Sequence, residues 1–189
     1  MSVAHEHQGP WTVEDVLAMP EDPSRRVELV GGQLMMSPAP NLAHQEASFL
    51  LASILHRAAR AADPRRWKVY EAVNVLLPDG LAIPDLVVVD RTRVDTGAAT
   101  VHAHDVVLAV EIASASTRVT DRKLKPVLYA AAGIPFYWRV ELEPAPRLLA
   151  GTLTAGGGGY LEREHLSGVA AAFDEPFPIT FDPARLREE

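Results

Sequence analysis

The chain has no cysteine, which excludes disulfide staples, thiolate metal sites and a cysteine nucleophile. It has no apolar run near the roughly 20 residues that cross a bilayer. Its opening stretch, MSVAHEHQGPW, has neither the basic start nor the apolar core of a secretion signal. The expectation is a soluble, cytoplasmic protein with no membrane partner. Positive charge is also short. The formal net charge of −7 argues against tight, general binding of polyphosphate chains by an isolated monomer, because such binders carry a basic footprint. An acidic balance is compatible with a site for a divalent cation, and a homodimer could build basic surface across its interface.

At 189 residues the chain can fill one core. Residues 1–10 read as a disordered N-terminus and 11–189 as a single domain. Thr12 is placed to cap a short helix over Val13–Met19, with Glu14 and Asp15 in its first turn and Pro20 and Pro23 beyond its end. Arg25–Val30 and Gln33–Ser37 around Gly31-Gly32 have the pattern of a tight hairpin. The longest helical periodicity runs from Asn41 to about Ala62, with Leu42, Phe49, Leu50, Ala52, Ile54, Leu55 and Ala58 at helical spacing. Strands are expected near Trp67–Glu71, Val73–Leu77 and Ile83–Val89. Val106–Ala113 reads as a central strand buried on both faces. A polar linker, Ser114–Thr120, precedes a helix over Asp121–Ala132, which Gly133 stops. Phe136–Leu142 is strand-like, Arg147–Leu153 and Tyr160–Glu164 form a C-terminal hairpin, and Phe173, Phe177 and Phe181 mark short edge strands. The fold class is mixed α/β (α+β), with one curved sheet.

Two carboxylates interrupt the most apolar strands. Asp85 follows Pro84 and opens Leu-Val-Val-Val, and Glu111 lies inside Val-Val-Leu-Ala-Val-Glu-Ile-Ala. Burying an unpaired carboxylate costs several kcal/mol, so each needs a cation. Neighbouring strands can bring both to one hard ion such as Mg²⁺, with the carbonyl of Ile112 as a third oxygen ligand. The alternative at this point is that Asp85 caps a turn and Glu111 pairs with an arginine.

A longer pattern bears on the choice. Val27-Glu28-Leu29-Val30-Gly31-Gly32 is followed by Ser37-Pro38, His44-Gln45 and Pro84-Asp85. Then come Glu111-Ile112-Ala113-Ser114-Ala115-Ser116-Thr117, Asp121, Lys125, Tyr129-Ala130 and Gly133-Ile134-Pro135-Phe136-Tyr137-Trp138. In this order the pieces resemble the Uma-type (domain-of-unknown-function) restriction endonuclease family of the PD-(D/E)xK nuclease superfamily. The resemblance implies a restriction-endonuclease-like core, a curved mixed sheet flanked by helices. It implies a Mg²⁺-dependent (Mn²⁺-tolerant) endonuclease acting on nucleic-acid phosphodiesters, with DNA as the expected partner. Asp85 and Glu111 then become the catalytic and metal-binding acids. Ala113 stands where the superfamily at large has its lysine, and Lys125 on the following helix takes that role. Glu28 joins as a helper near the metal, against the alternative of a solvent-facing strand carboxylate.

Pro126, directly after Lys125, forces either a kink or a helix start at that point. Lys123 is the alternative ammonium. His44 could contact phosphate or the edge of the site, but a lone helical histidine reads first as structural; Tyr129, Tyr137 and Trp138 read as packing. His102 with His104 and His5 with His7 lack a third ligand and read as surface residues. Ser114, Ser116 and Thr117 read as helix caps. Arg57, Arg60, Arg65, Arg66 and Lys68 form the one basic cluster and are the best candidates for phosphate-backbone contacts. Ala113, Pro126 and the acidic charge also allow a second reading, a nuclease-fold binding or regulatory module with weak or lost catalysis.

Overall fold

In the computed structural model, which describes residues 9–20, 22, 24–114 and 120–187, the first two helices begin where side chains cap them. Thr12 and Asp15 form a capping box on α1 (Val13–Leu17), and Asn41 accepts the N–H of His44 at the start of α2 (Leu42–Ala62). Between them lie β1 (Arg25–Val30) and β2 (Gln33–Pro38), joined through Gly31 and Gly32. Both glycines have positive φ, 56° and 75°, as a two-residue hairpin turn requires. The expected disordered start falls mainly on residues 1–8, and the expected caps Ser116 and Thr117 on 115–119. These, with Pro23, lie outside the described residues.

After α2 come β3 (Trp67–Glu71), β4 (Asn74–Leu77), β5 (Gly80–Ala82), β6 (Leu86–Asp90), β7 (Thr100–His102) and β8 (Val106–Ala113). A π-helical segment (Thr120–Leu124) runs into α3 (Lys125–Ala131). β9 (Phe136–Glu141), β10 (Arg147–Leu153), β11 (Tyr160–Leu166), β12 (Ala171–Phe173) and β13 (Ile179–Phe181) follow. Pro126 sits in the first turn of α3, directly after the π-helical segment, and Leu124 before it is already αR with no side-chain cap. The proline therefore lies at a π-to-α irregularity inside one helical stretch and not at a fresh helix start.

The mixed α+β class is as expected, but the strands are shared between two main sheets. One runs β2-β1-β5-β4-β7 and the other β11-β10-β9-β8-β6-β3, with β12 and β13 as a separate pair. The expected strand Ile83–Val89 is therefore divided. Pro84 has no N–H to give to a ladder, and the chain leaves the first sheet after Ala82 and enters the second at Leu86. Ala72, between β3 and β4, makes the opposite crossing in the left-handed region (φ 48°) and donates its N–H to the Asp85 carbonyl (3.0 Å). Asp85 thus lies where the chain passes between sheets.

β8 carries the second sheet. It pairs antiparallel with β6 and parallel with β9. Alternation sends Leu86, Val88, Leu108, Val110 and Ile112 toward Leu51, Leu55 and Ala59 of α2, with Trp138 in the same cluster. Val87, Val89 and Ala109 face the other way, onto Tyr129 of α3, Tyr137, and Val75 and Ala82 of the first sheet. Covered on both sides, β6 and β8 are almost wholly buried. No helix among the described residues is long and apolar enough to cross a membrane.

Candidate active site

The register brings the two strand acids together. Leu86 pairs with Val110, so Asp85, one residue before β6, comes opposite Glu111 on the same face. Both line a cavity of about 280 Å³ with Arg26 and Glu28 from β1, His44 from the first turn of α2, Ile112, Asp121 and Lys125. Every carboxylate in it is almost fully buried.

Asp85 is held by three donors. Arg26 Nη1 pairs with Oδ1, while Oδ2 accepts the Ile112 N–H at 2.8 Å and lies 3.1 Å from His44 Nε2. A carboxylate only accepts, so Nε2 carries the hydrogen; His44 Nδ1 is buried with no hydrogen-bond partner among the described residues. Burial would raise the pKa of Asp85, but the His44 hydrogen bond and charge, Arg26 and the Ile112 N–H together hold it below its ordinary value. In an extended strand a residue's N–H and C=O leave by the same edge. The Ile112 carbonyl therefore emerges on the Asp85 side.

Glu111 has different company. Its Oε1 accepts from Tyr129 Oη at 2.6 Å and lies 2.9 Å from Lys125 Nζ, which is also 3.0 Å from Glu28 Oε1. Glu28 Oε1 further accepts the Ile83 N–H at 2.7 Å. Burial pushes Glu111 well above the usual carboxyl range; Lys125 opposes the shift, and the charges of Asp85, Asp121 and Glu28 add to it. For Lys125, burial favours the neutral form, but Glu111, Glu28 and Asp121 outweigh it and keep the ammonium charged. The two directions agree physically: the lysine stays cationic, and Glu111 is displaced toward its protonated form. Burial and the same carboxylates keep Tyr129 protonated as a donor.

Among the described residues the cavity lining carries the acids Glu28, Asp85, Glu111 and Asp121 and the cations Arg26 and Lys125. No three His, Asp or Glu side chains among the described residues are grouped so as to hold a metal ion by themselves. Mg²⁺ seldom needs such a group, because it keeps several waters and takes one or two carboxylates. The donor set is all oxygen and suits a hard cation, with Asp85, Glu111 and the Ile112 carbonyl as the residues that would hold it.

Sequence reasoning points to Asp85, Glu111 and Lys125, and the structure places all three in this cavity. Glu28 is buried beside Lys125, not solvent-facing. Glu111 meets a lysine and a tyrosine; the arginine falls to Asp85. Lys123 is exposed and lines a different cavity, with Pro126 and Gly157. His102 and His104 stack on each other at the exposed surface (ring centroids 5.1 Å apart). His44 lines the cavity, the second of its two sequence readings, and two site members escape the sequence reading: Tyr129 reads there as packing, and Arg26 does not stand out. Two local signals point to them. Arg26 shares a strand face with Glu28 two residues on, and Tyr129 shares a helix face with Lys125 four residues before it.

The family model described as "Uma2: Putative restriction endonuclease" matches residues 13–181. Among solved structures the fold is similar to a crystal structure titled a putative nuclease belonging to DUF820, from Anabaena variabilis ATCC 29413. That similarity has a TM-score of 0.69 at 15% sequence identity, over 82% of this chain and 84% of the other. No curated protein matches the chain.

Proposed function

Because the chain belongs to the Uma2 family, described as putative restriction endonucleases, we propose that it is a metal-dependent endonuclease that hydrolyses nucleic-acid phosphodiesters, with DNA as substrate. The supporting observation is the register that sets Asp85 opposite Glu111 across β6 and β8, in a cavity whose described lining adds Glu28, Asp121 and Lys125. A Mg²⁺ ion, or Mn²⁺ in its place, would supply Lewis-acid polarisation of the phosphoryl oxygens and a more acidic water.

The side chains do the rest. His44 and the Ile112 N–H fix the Asp85 carboxylate from one side, and Tyr129 fixes Glu111 from the other. Such support holds ligands in place before substrate arrives. Lys125, kept charged between Glu28 and Glu111, sits where an ammonium can orient water and stabilise charge developing on phosphorus-bound oxygen. Water oxygen forms the new bond to phosphorus, one ester P–O bond breaks, and the leaving oxygen gains a proton. Glu28 positions Lys125.

The test is cleavage of supercoiled and linear DNA by the purified chain with Mg²⁺ or Mn²⁺. Asp85→Ala is expected to lower the cleavage rate by at least about a hundredfold, the scale set by removing one preorganised electrostatic group. Cleavage unchanged in that variant would sink the proposal.

A further inference from the structure

Arg26 is more than a structural counter-ion for Asp85. Of Arg26 and Lys125, the cations among the described lining residues, Arg26 is the more exposed, with 27% of its side chain accessible against 9% for Lys125. Lys125 is locked by two carboxylates and is kept charged by both. Among the described residues Arg26 has its ion pair with Asp85 alone, on Oδ1. The other oxygen, Oδ2, is already taken by the Ile112 N–H and His44. Oδ1 is thus the Asp85 oxygen that an incoming cation must use, and the guanidinium is on it. The remaining partners of Asp85 come from the backbone of β8 and the buried His44, neither of which can withdraw without disturbing the core. Arg26, on β1 at the rim, can.

We infer that Arg26 is a displaceable counter-ion, which competes with the divalent cation for Asp85 and is released into the cavity when the cation binds. The inference rests on the metal-dependent reading above. In the metal-free protein Arg26 gives Asp85, 3% exposed, a cationic partner on Oδ1. On metal binding the guanidinium exchanges one partner for another: its five-donor fork fits phosphate oxygens in two-point contact, and the anion entering this cavity is a phosphodiester. Metal occupancy would then gate phosphate capture. Because the two cations compete, the wild-type affinity for metal is lower than the oxygen ligands alone would give, and removing the guanidinium should raise it.

The experiment is calorimetric titration of the full chain with Mn²⁺, comparing wild type, Arg26→Gln and Asp85→Asn. Arg26→Gln is expected to bind Mn²⁺ about tenfold tighter, the scale of one charge-assisted hydrogen bond removed from the competing state. Asp85→Asn is expected to bind at least about tenfold more weakly. A second measurement needs no variant. Phenylglyoxal modification of the wild type, mapped by peptide mass spectrometry, should be faster at Arg26 with Mn²⁺ present than without it. Equal or weaker Mn²⁺ binding by folded Arg26→Gln overturns the inference while leaving the metal-dependent reading intact. So does Arg26 reactivity that Mn²⁺ leaves unchanged or slows. Absence of Mn²⁺ binding by both wild type and Arg26→Gln overturns the inference and the metal-dependent reading together.

Discussion

Asp85 and Glu111 are carboxylates opposite one another across two strands, yet their surroundings push them in opposite directions. Asp85 is held ionised by His44, Arg26 and a backbone N–H, and Glu111 is driven toward its protonated form by burial and acidic neighbours. Divergent environments for a pair of acids are a mark of sites that handle protons and charge. The signs lead to a test. A carboxyl whose folded-state pKa is raised contributes stability that is present below its unfolded value and lost as pH rises through the folded one. For Glu111 that loss begins above 4.5. A divalent cation competes with the same proton. Mn²⁺ affinity is therefore expected to rise with pH above 4.5, with release of up to about one proton per ion. Titrations in two buffers of different ionisation enthalpy measure that release. Affinity flat in pH and no proton release would mean that Glu111 is already ionised in the metal-free fold. The two acids are readable in the sequence because a charge in an apolar strand is costly wherever the fold puts it, and Lys125 is readable through the family resemblance that gives it a role. The pairings of Arg26, His44 and Tyr129 are not, because their partners lie 59, 41 and 18 residues away.

The element that delivers Lys125 is held from outside. Arg122, in the π-helical segment, donates to both oxygens of Glu141 on β9 at 2.8 and 2.7 Å, and Arg147 of β10 adds two more hydrogen bonds at 2.5 and 3.2 Å. Burial would raise the Glu141 carboxyl, but the Arg122 and Arg147 guanidiniums outweigh it and bring it down to about 2. A depressed carboxyl contributes stability that is present above its unfolded pKa, here 4.5, and lost as pH falls toward 2. Glu141→Gln should destabilise the fold by about 1–3 kcal/mol near neutrality, the range for hydrogen bonds to charged groups. Its stability should also fall less steeply than that of wild type between those two pH values. Urea unfolding across that range measures both, and a parallel pH dependence in the two proteins would exclude the clamp. Elements with a strong local signature are legible in sequence: α2 and its Asn41 cap, β8, and the glycine turn between β1 and β2. The division of Ile83–Val89 and the pairing of β4 with β7 are not. Pro84 shows that a ladder is interrupted, but only tertiary packing decides which sheet each half joins.

Across the whole molecule, charge is arranged along α2. His44, in its first turn, lines the cavity, while Arg57 and Arg60 are exposed in its last turns, with Arg65 and Arg66 just beyond. Sixteen residues separate His44 from Arg60, about 24 Å at roughly 1.5 Å per residue. Arg66 is already committed, donating to Asp90 at 3.1 Å and lying over the Trp67 ring at 4.4 Å. Arg57, Arg60 and Arg65 thus do not line the cavity, and the cavity itself is acidic. On duplex DNA, about 24 Å corresponds to about seven base steps along one strand, so these arginines could reach the backbone only at that remove. Replacing Arg57, Arg60 and Arg65 with alanine is expected to slow cleavage of duplexes that extend about seven base pairs or more past the cut. The slope of the salt dependence should fall by about one unit for each phosphate that the variant no longer neutralises. Duplexes ending sooner on that side should be cut at the wild-type rate. Slowing of equal size on both lengths would mean that the substitutions act through the stability of α2 and not by touching the strand.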